Sequence, residues 1–254
     1  MPKFAVITGA SSGIGAEFAR QLSARGYQLL LVARRTDRLQ QLSAQLTTVC
    51  EIFPADLSRA EECCRLADAL RERQVDLFIN NAGFGDCGPF LETELDKELR
   101  MVDVNVRAVQ ILTKRMVQQM ERQGSGALLN VGSSAGLLPG GPYMATYYAT
   151  KAYVVSLSQA VAAELRARHS PVYLGCLCPG PVHTEFNQVA NVRFALPGIS
   201  AAYCVRCALA GIRRRRTIIV PGPAMATAMA LSHLAPRPLL VAVAGWQQKR
   251  KLSR

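Results

Sequence analysis

Lys3-Phe-Ala-Val-Ile-Thr8 runs directly into Gly9-Ala-Ser-Ser-Gly13-Ile-Gly15, and residues 16–25 continue with helical periodicity. The first run is apolar after its lysine, as expected of a strand buried in a parallel sheet. Backbone N–H groups at the start of a helix, together with the helix dipole, attract anions. The stretch therefore predicts a strand, a phosphate-binding turn and a helix. The predicted contacts of that turn are Gly9, Ser11, Ser12, Gly13, Ile14 and Gly15.

The same alternation of apolar strand and amphipathic helix continues along the chain. Further strands are predicted at 28–33, 49–53, 75–79, 127–131, 172–177 and 217–221, and helices at 36–46, 58–73, 95–122 and 147–168. Strands joined through helices become parallel, with ligands at their carboxyl ends. We therefore predict a single-domain α/β fold: a Rossmann-type doubly wound parallel sheet of about seven strands with helices on both faces.

Composition is that of an ordinary globular protein. The 254 residues are 50% apolar and 19% charged, enough for one large buried core. Met1 stands directly before the first predicted strand, so we expect no signal peptide. The eight cysteines show neither zinc spacing nor a disulfide framework. We expect reduced thiols, a cytoplasmic protein and no metal site, with Cys176 and Cys178 packing inside the fold.

The end of the second predicted strand bears on the choice of cofactor. A carboxylate at this point would bind the ribose 2′-hydroxyl of NAD. The chain instead has Arg34 and Arg35, with no acid before Asp37. Guanidinium groups suit a 2′-phosphate, so the sequence favours NADP(H) over NAD(H). The alternative interpretation is a solvated basic start to the next helix.

Polar residues also follow the third and fourth predicted strands. Asp56, before Leu57, could hydrogen-bond an adenine amino group, or could cap the next helix with Ser58. Both interpretations stay open. The run Asn80-Asn81-Ala82-Gly83 suits hydrogen bonds that lock neighbouring strands as well as close approach of a cofactor.

Tyr147 and Lys151 stand four residues apart in a predicted helix, so both side chains lie on one face. A tyrosine protonates a carbonyl efficiently when its pKa falls from about 10 toward the working pH. A cation at ~4 Å contributes about 4 kcal/mol at an effective dielectric near 20. We therefore expect Lys151 to lower the pKa of Tyr147. Asn105, within an apolar helix, is either a locally satisfied core residue or part of a water-mediated proton relay.

Together these motifs resemble the short-chain dehydrogenase/reductase superfamily, in its single-domain branch, over residues 3–185. The residues that carry the resemblance are Thr8-Gly9…Gly13-x-Gly15, Asn80 to Gly83, Asn105, Ser134, Tyr147 with Lys151, and Pro179-Gly180.

The resemblance implies a catalytic set of Asn105, Ser134, Tyr147 and Lys151. In this set Tyr147 is the general acid/base and Ser134 binds the substrate oxygen. Lys151 holds the nicotinamide ribose and lowers the tyrosine pKa, and Asn105 positions a water that links Lys151 to solvent. Ser133 is a less favoured alternative, because the thirteen-residue spacing to Tyr147 favours Ser134.

The resemblance also implies an NADP(H)-dependent oxidoreductase that interconverts a ketone or aldehyde and its alcohol. The substrate contacts are expected in segments 84–89, 137–144 and 181–200, whose composition favours a small apolar or aromatic compound. Homodimers or homotetramers through 95–122 and 147–168 are expected. The implied cofactor contacts are Gly9, Ser11, Ser12, Gly13, Ile14, Gly15, Arg34, Arg35, Asp56, Leu57, Asn81, Ala82, Gly83, Tyr147, Lys151, Pro179, Gly180, Val182 and Thr184.

The positive charge of the chain is concentrated in its C-terminal quarter. The net charge is +12, yet no Asp or Glu follows Glu185 and eleven of the 30 basic residues do. The first 185 residues therefore carry 19 basic against 18 acidic residues, a net of +1. We predict a catalytic domain at 1–221 and an apolar, basic extension at 222–254, packed on the domain or projecting from it.

Two interpretations of this extension stay open. The favoured one is a packing or oligomer-forming arm with a solvated basic tail. The other is contact with an anionic membrane surface, at the inner face of a membrane. We expect no transmembrane helix, since prolines interrupt the apolar run. We also expect no nucleic-acid binding, since the basic groups lack interleaved aromatic residues beyond Trp246.

Two functional alternatives also stay open. One is a peripheral membrane reductase that acts on a lipid, steroid or acyl carbonyl. The other is a cofactor-binding sensor or scaffold without turnover, against which the combination of Asn105, Ser134, Tyr147 and Lys151 argues.

Overall fold

A parallel sheet of seven strands forms the centre of the computed structural model, which describes residues 3–186, 198–232 and 234–252. The strands of this sheet are β1 (Phe4–Thr8), β2 (Gln28–Ala33), β3 (Cys50–Pro54), β4 (Leu77–Asn80), β5 (Ala127–Val131), β6 (Tyr173–Leu177) and β9 (Ile218–Ile219). Their spatial order is β3-β2-β1-β4-β5-β6-β9, and all pairs are parallel. A two-stranded parallel ladder joins β7 (Val182–His183) to β8 (Ile199–Ser200). The predicted doubly wound parallel sheet is confirmed.

Helices cover both faces of the sheet. They are α1 (Gly13–Ser23), α2 (Thr36–Ser43), α3 (Ala60–Ala69), α4 (Leu95–Val102), α5 (Val109–Gln123), α6 (Ala145–Ala167), α7 (Ala201–Arg213), α8 (Pro223–Ser232) and α9 (Arg237–Leu252). A π-helical segment, Asp103–Ala108, joins α4 to α5, and a 3₁₀ helix, Ser134–Leu137, follows β5.

The strand order reverses between β1 and β4, and this places the site. The chain moves outward from β1 to β3 and then returns to the other side of β1, where Ile7 pairs with Ile79. In such sheets, ligands bind in the crevice at the carboxyl ends of the two strands that flank the reversal. Thr8 and Asn80 end these two strands, so the predicted glycine turn lies at the crevice.

Alternation of side chains along the strands produces two apolar cores. On one face Ile7 and Leu31 pack with Phe18 of α1, and on the other Val6 packs with Leu112 of α5. All five side chains are fully buried. Burial on both faces explains why the first strands read as continuous apolar runs.

Several predicted helix boundaries differ from the structure, and the helix predicted at 36–46 ends at Ser43. The predicted helix at 58–73 spans Ala60–Ala69, because its last residues form tighter turns, with Arg73 N donating to Leu70 O at 2.9 Å. The predicted helix at 95–122 is interrupted by the π-helical segment. The predicted helix at 147–168 begins earlier, at Ala145.

The chain beyond residue 216 supplies the predicted last strand and two further helices. Strand β9 pairs with β6 at the edge of the sheet. Helix α9 packs on the first turn of α6, where Gln248 Nε2 donates to Tyr148 Oη at 2.8 Å. Ala244 is also buried there, at 3% exposure. Within the described ranges, no helix combines the length and apolarity that crossing a membrane requires.

Candidate active site

The glycine turn after β1 is shaped for close approach of a ligand backbone. Gly9 and Gly13 have φ angles of +66° and +55°, which glycine adopts without strain. A Cβ on Gly15 would lie 2.2 Å from Gly9 O, so no larger residue fits. Helix α1 then begins at Gly13, where the first backbone N–H groups have no intrahelical acceptor. The turn therefore fits the pyrophosphate of a dinucleotide, as the sequence indicates.

Polar side chains hold the turn against the neighbouring strand. Asn81 Nδ2 donates to Thr8 O at 2.9 Å and to Gly9 O at 3.2 Å. Thr8 Oγ1 accepts from the backbone N–H groups of Asn81 and Ala82, at 2.9 and 3.0 Å. Asn80 Nδ2 donates to Asn130 Oδ1 at 3.1 Å, across β4 and β5. The predicted locking of neighbouring strands by the amides of residues 80 and 81 is confirmed.

Helix α6 brings Tyr147 and Lys151 to the end of β5. Lys151 is 5% exposed, and its Nζ donates to Val131 O at 2.9 Å. The same Nζ lies 5.9 Å from the centroid of the Tyr147 ring. The tyrosine ring packs against Phe186, with centroids 5.5 Å apart. The phenol and the ammonium thus share one pocket at the carboxyl edge of the sheet.

The pKa of Tyr147 in this pocket differs from the value that the sequence led us to expect. Burial raises the pKa of Tyr147 to about 12, although hydrogen bonding with Ser133 acts in the opposite direction. Burial lowers the pKa of Lys151 to about 8. The expected lowering of the tyrosine pKa by Lys151 is therefore not seen. The cause is that desolvation dominates and that the ammonium is turned to Val131 O.

The structure pairs Tyr147 with Ser133, where the sequence prediction chose Ser134. Ser133 follows β5 in an extended conformation, and its hydroxyl interacts with the tyrosine. Ser133 Oγ also accepts from Ala135 N at 3.1 Å. Ser134 begins the 3₁₀ helix instead, and its backbone N–H donates to Pro179 O at 2.9 Å. Which of the two serines binds the substrate oxygen stays a prediction, and the contact with Tyr147 favours Ser133 over Ser134.

Asn105 is fully buried in the π-helical segment, and its amide is satisfied locally. Its Nδ2 donates to Phe84 O at 2.9 Å and to Thr150 Oγ1 at 3.1 Å, while its Oδ1 accepts from Phe84 N at 3.1 Å. A Cβ on Gly83 would lie 2.9 Å from Asn105 Oδ1 and 3.3 Å from Lys151 Nζ. The side chain therefore fixes the loop beside Lys151, and the relay role remains a prediction.

Arg35, together with Arg38, faces the glycine turn. Arg35 Nη2 donates to Ser11 Oγ at 3.1 Å and Ser12 Oγ at 3.0 Å. The Glu185 carboxylate bridges the two arginines, 3.3 Å from Arg35 Nη1 and 2.5 Å from Arg38 Nη1. Arg34, which the sequence offers for the 2′-phosphate together with Arg35, is exposed to solvent. Arg38 and Glu185 were missed, because one lies on the exposed side of α2 and the other about 150 residues away.

The remaining predicted cofactor residues lie around the same crevice. Asp56 Oδ1 accepts from Ser58 N at 3.1 Å and Ser58 Oγ at 2.9 Å, which stabilises the turn before α3. The N-cap of α3 is Arg59 and has no side-chain cap hydrogen bond, so the predicted capping of this helix by Asp56 is not seen, and the adenine contact stays a prediction. A Cβ on Gly13 would lie 3.2 Å from Thr184 Cβ. Leu57 and Val182 are buried, and Gly180 lies against Met225.

The substrate side of the pocket is apolar. Cys87, Met144 and Tyr148 form a buried cluster with Tyr147 and Phe186 packed against it. Phe186 was not predicted individually, although it falls in the predicted segment 181–200. Residues 187–197 of that segment lie outside the described residues. In the part of the chain that the structure describes, no group of three or more His, Cys, Asp or Glu could hold a metal ion.

Comparison with known proteins agrees with this arrangement. A family model described as short chain dehydrogenase matches residues 3–193. A very-long-chain 3-oxoacyl-CoA reductase of Neurospora crassa is 32% identical over 76% of this chain. The chain spans 60% of that protein's length.

Two solved structures share the fold over nearly the whole chain. A short-chain dehydrogenase from Sphingobium yanoikuyae in complex with NADPH is 32% identical, with a TM-score of 0.82 over 93% of this chain and 94% of that one. A short chain dehydrogenase/reductase from Burkholderia phymatum in complex with NAD is 28% identical, also with a TM-score of 0.82, over 92% and 93%.

Proposed function

This chain belongs to the short-chain dehydrogenase family, and we propose that it is an NADP(H)-dependent oxidoreductase that interconverts a ketone or aldehyde with its alcohol. The observation that carries the proposal is the pocket at the end of β5. There the Ser133 and Tyr147 hydroxyls interact, and the Lys151 ammonium lies buried behind them.

In the proposed reduction, Ser133 and Tyr147 hold the substrate oxygen between their hydroxyl groups. The nicotinamide, when bound, supplies or accepts the hydride. Tyr147 donates its proton to the oxygen as negative charge develops there, and the Ser133 hydroxyl stabilises that charge. Lys151, 5.9 Å from the phenol ring, stabilises the tyrosinate that remains. In alcohol oxidation the same groups take the proton in reverse.

NADP(H) is the proposed cofactor because Arg35 and Arg38 stand together at the glycine turn. Guanidinium groups bind phosphate through paired charge-assisted hydrogen bonds. Both arginines contact the Glu185 carboxylate, so their donors are already directed to one anionic position. One solved relative carries NADPH and another NAD, so the cofactor preference rests on these side chains.

An apolar or aromatic carbonyl compound is the proposed substrate. Met144, Tyr148 and Phe186 surround the Tyr147 ring and offer apolar surface to a ligand. Relatives include 3-oxoacyl-CoA reductases, so a 3-oxoacyl thioester belongs to the proposed range. In either case the reacting ketone would lie between Ser133 and Tyr147.

A homo-oligomer is proposed from the exposed apolar side chains on α4 and α6. Leu95, Leu99 and Tyr153 are 67%, 52% and 37% exposed. Large apolar side chains on neighbouring helices are typical of a surface that a second copy covers.

The test is NADPH oxidation by the purified protein with three ketones: a short aliphatic one, a bulky aryl one and a 3-oxoacyl-CoA. We expect turnover with at least one apolar ketone, and slower turnover with NADH. Thermal denaturation with each cofactor is measured in parallel. Tight NADPH binding without turnover of any carbonyl would instead favour the sensor, and the absence of cofactor binding would contradict the proposal.

A further inference from the structure

The last two helices expose a row of large apolar side chains. Leu239, Val243 and Trp246 of α9 are 56%, 45% and 58% exposed. Their spacing of four and three residues places them on one face of the helix. Leu231 and Leu234, at the end of α8 and just after it, are 59% and 83% exposed.

The opposite face of α9 is occupied by the protein itself. Ala244 and Gln248 are buried, and Gln248 Nε2 donates to Tyr148 Oη at 2.8 Å. Gly245 lies against Pro142, where a Cβ would come within 3.0 Å of the ring. The orientation of α9 is therefore fixed, and its apolar row points to solvent because of that packing.

Basic residues flank this row, and acidic residues are missing from this part of the sequence. Arg237 comes two residues before Leu239 and Lys249 three residues after Trp246, and both side chains are exposed. Arg250 and Lys251 follow directly, and no Asp or Glu occurs after Glu185. We call Leu239, Val243 and Trp246, together with Arg237 and Lys249, the tail face.

We propose that the tail face binds the surface of an anionic lipid bilayer. Apolar and aromatic side chains on one face of a helix enter the headgroup region by about 5–10 Å, and flanking cations hold anionic headgroups. An anionic bilayer surface can bury the exposed apolar side chains and also pair with the basic ones. The proposal does not depend on the proposed oxidoreductase activity.

Charge distinguishes this partner from a second copy of the chain. In a twofold interface each tail face would meet another, so Arg237 and Lys249 would approach like charges. A nucleic acid would pair with the basic side chains but would leave the apolar side chains exposed to water. Helix α9 contacts Pro142 and Tyr148, so it connects the tail face on one side with the residues next to Tyr147 on the other.

Trp246 allows a direct test, because it is the one tryptophan in the sequence. The full chain is mixed with vesicles of phosphatidylcholine alone or with about 30% phosphatidylglycerol. We expect co-sedimentation and a blue shift of tryptophan emission with the anionic vesicles. Raising salt from about 0.1 M to about 1 M is expected to weaken binding at least about tenfold.

Paired variants identify the surface. Arg237→Gln with Lys249→Gln removes two cations, each worth about fivefold in binding, so at least about a tenfold loss is expected. Leu239→Gln with Val243→Gln is expected to abolish the blue shift. Both side chains are already exposed, so the melting temperature is expected to stay unchanged. Arg213→Gln with Arg214→Gln is the charge-matched control outside the tail face, and its binding is expected to change less than about twofold.

Three outcomes would overturn the proposal. They are no vesicle binding at low salt, equal binding to both vesicle types, and equal loss in the control pair. Concentration-dependent self-association that Leu239→Gln with Val243→Gln removes, without lipid binding, would assign the tail face to a second copy. Binding to RNA but not to vesicles would assign it to nucleic acid.

Discussion

At the scale of single residues, we propose Ser133 rather than Ser134 as the residue that binds the substrate oxygen. It interacts with the Tyr147 hydroxyl, whereas Ser134 turns into the 3₁₀ helix. We expect Ser133→Ala to lower kcat about 100-fold, because one hydrogen bond to the developing oxyanion is lost. Ser134→Ala is the matched control, with a change below about threefold. Loss of kcat in Ser134→Ala with retention in Ser133→Ala would restore the original assignment.

The lowered pKa of Lys151 makes the free energy of unfolding depend on pH. Its pKa is lowered by burial from 10.5 to about 8, so the unfolded chain binds more protons than the folded one between these values. The free energy of unfolding is therefore expected to rise as pH increases from about 8 to about 10. Urea denaturation across this window is expected to show the rise in the parent and in exposed Lys114→Met. A rise that persists in Lys151→Met would contradict the account.

Glu185 forms ion pairs with Arg35 and Arg38, the side chains that we propose bind the 2′-phosphate of NADP(H). Exposed ion pairs are worth about 0.2–1 kcal/mol each, so their removal changes affinity modestly. We expect Glu185→Gln to bind NADPH about two- to fivefold more tightly and NADH with unchanged affinity. Fluorescence titration of both cofactors measures this, with exposed Glu72→Gln as control. An equal change for NADH and NADPH would show that Glu185 does not act at the 2′-phosphate position.

The residue-level errors of sequence reasoning have a common physical origin. The tight turn at glycines 9, 13 and 15 was predictable, because it depends on local backbone geometry, whereas its contact with the cofactor stays a prediction. The positions of Ser133 and Glu185 in the site depend on how far a loop runs before the chain returns to the sheet. That path is set by packing between segments distant in sequence, which a spacing rule does not contain.

At the scale of elements, strands were easier to predict than the interruption of the long helix at 95–122. Continuous apolar runs identify buried strands, and β2 and β5 were predicted with their observed bounds. The π-helical segment arises because Asn105 bonds the backbone of Phe84, 21 residues earlier. An asparagine in an apolar helix indicates a buried hydrogen bond. Its partner cannot be identified from helical periodicity, because the partner lies in a distant loop.

The π-helical segment leads to a stability prediction. Asn105→Ala would leave both backbone groups of Phe84 without their partner, and each such group costs about 1–3 kcal/mol. We expect a loss of about 2–4 kcal/mol in the free energy of unfolding, measured by urea denaturation. Thr150→Val is the comparison, since it removes one bond to Asn105 and is expected to cost about 1 kcal/mol. Equal costs in the two variants would contradict the role of Asn105 as an anchor of the 84 loop.

At the scale of the whole molecule, the fold can be predicted from the order of strands and helices. The packing of the C-terminal segment cannot be predicted from that order. Prolines and the apolar composition of 222–246 limit what that stretch can form. They do not reveal that Gln248 docks on Tyr148, 100 residues earlier. The surface that the tail buries was therefore unpredictable, whereas the absence of acids after Glu185 was visible from the start.

Cofactor binding is expected to stabilise the folded molecule as a whole. A ligand that binds only the folded state at 100 times its Kd adds about 2.7 kcal/mol to the free energy of unfolding. We expect NADPH to raise Tm more than NADH does at equal concentration, because Arg35 and Arg38 meet an additional phosphate. Equal rises for the two cofactors would contradict the proposed preference.

The most direct test of the central claim compares two neighbouring tyrosines. Turnover of an apolar ketone with NADPH is measured for the parent, Tyr147→Phe and Tyr148→Phe. Tyr148 lies on the same helix but bonds Gln248, so its variant controls for loss of a hydroxyl. We expect Tyr147→Phe to lose activity by about 10²–10⁴-fold and Tyr148→Phe to retain it within a few-fold. Turnover that survives in Tyr147→Phe would contradict the assignment of this residue as the proton donor.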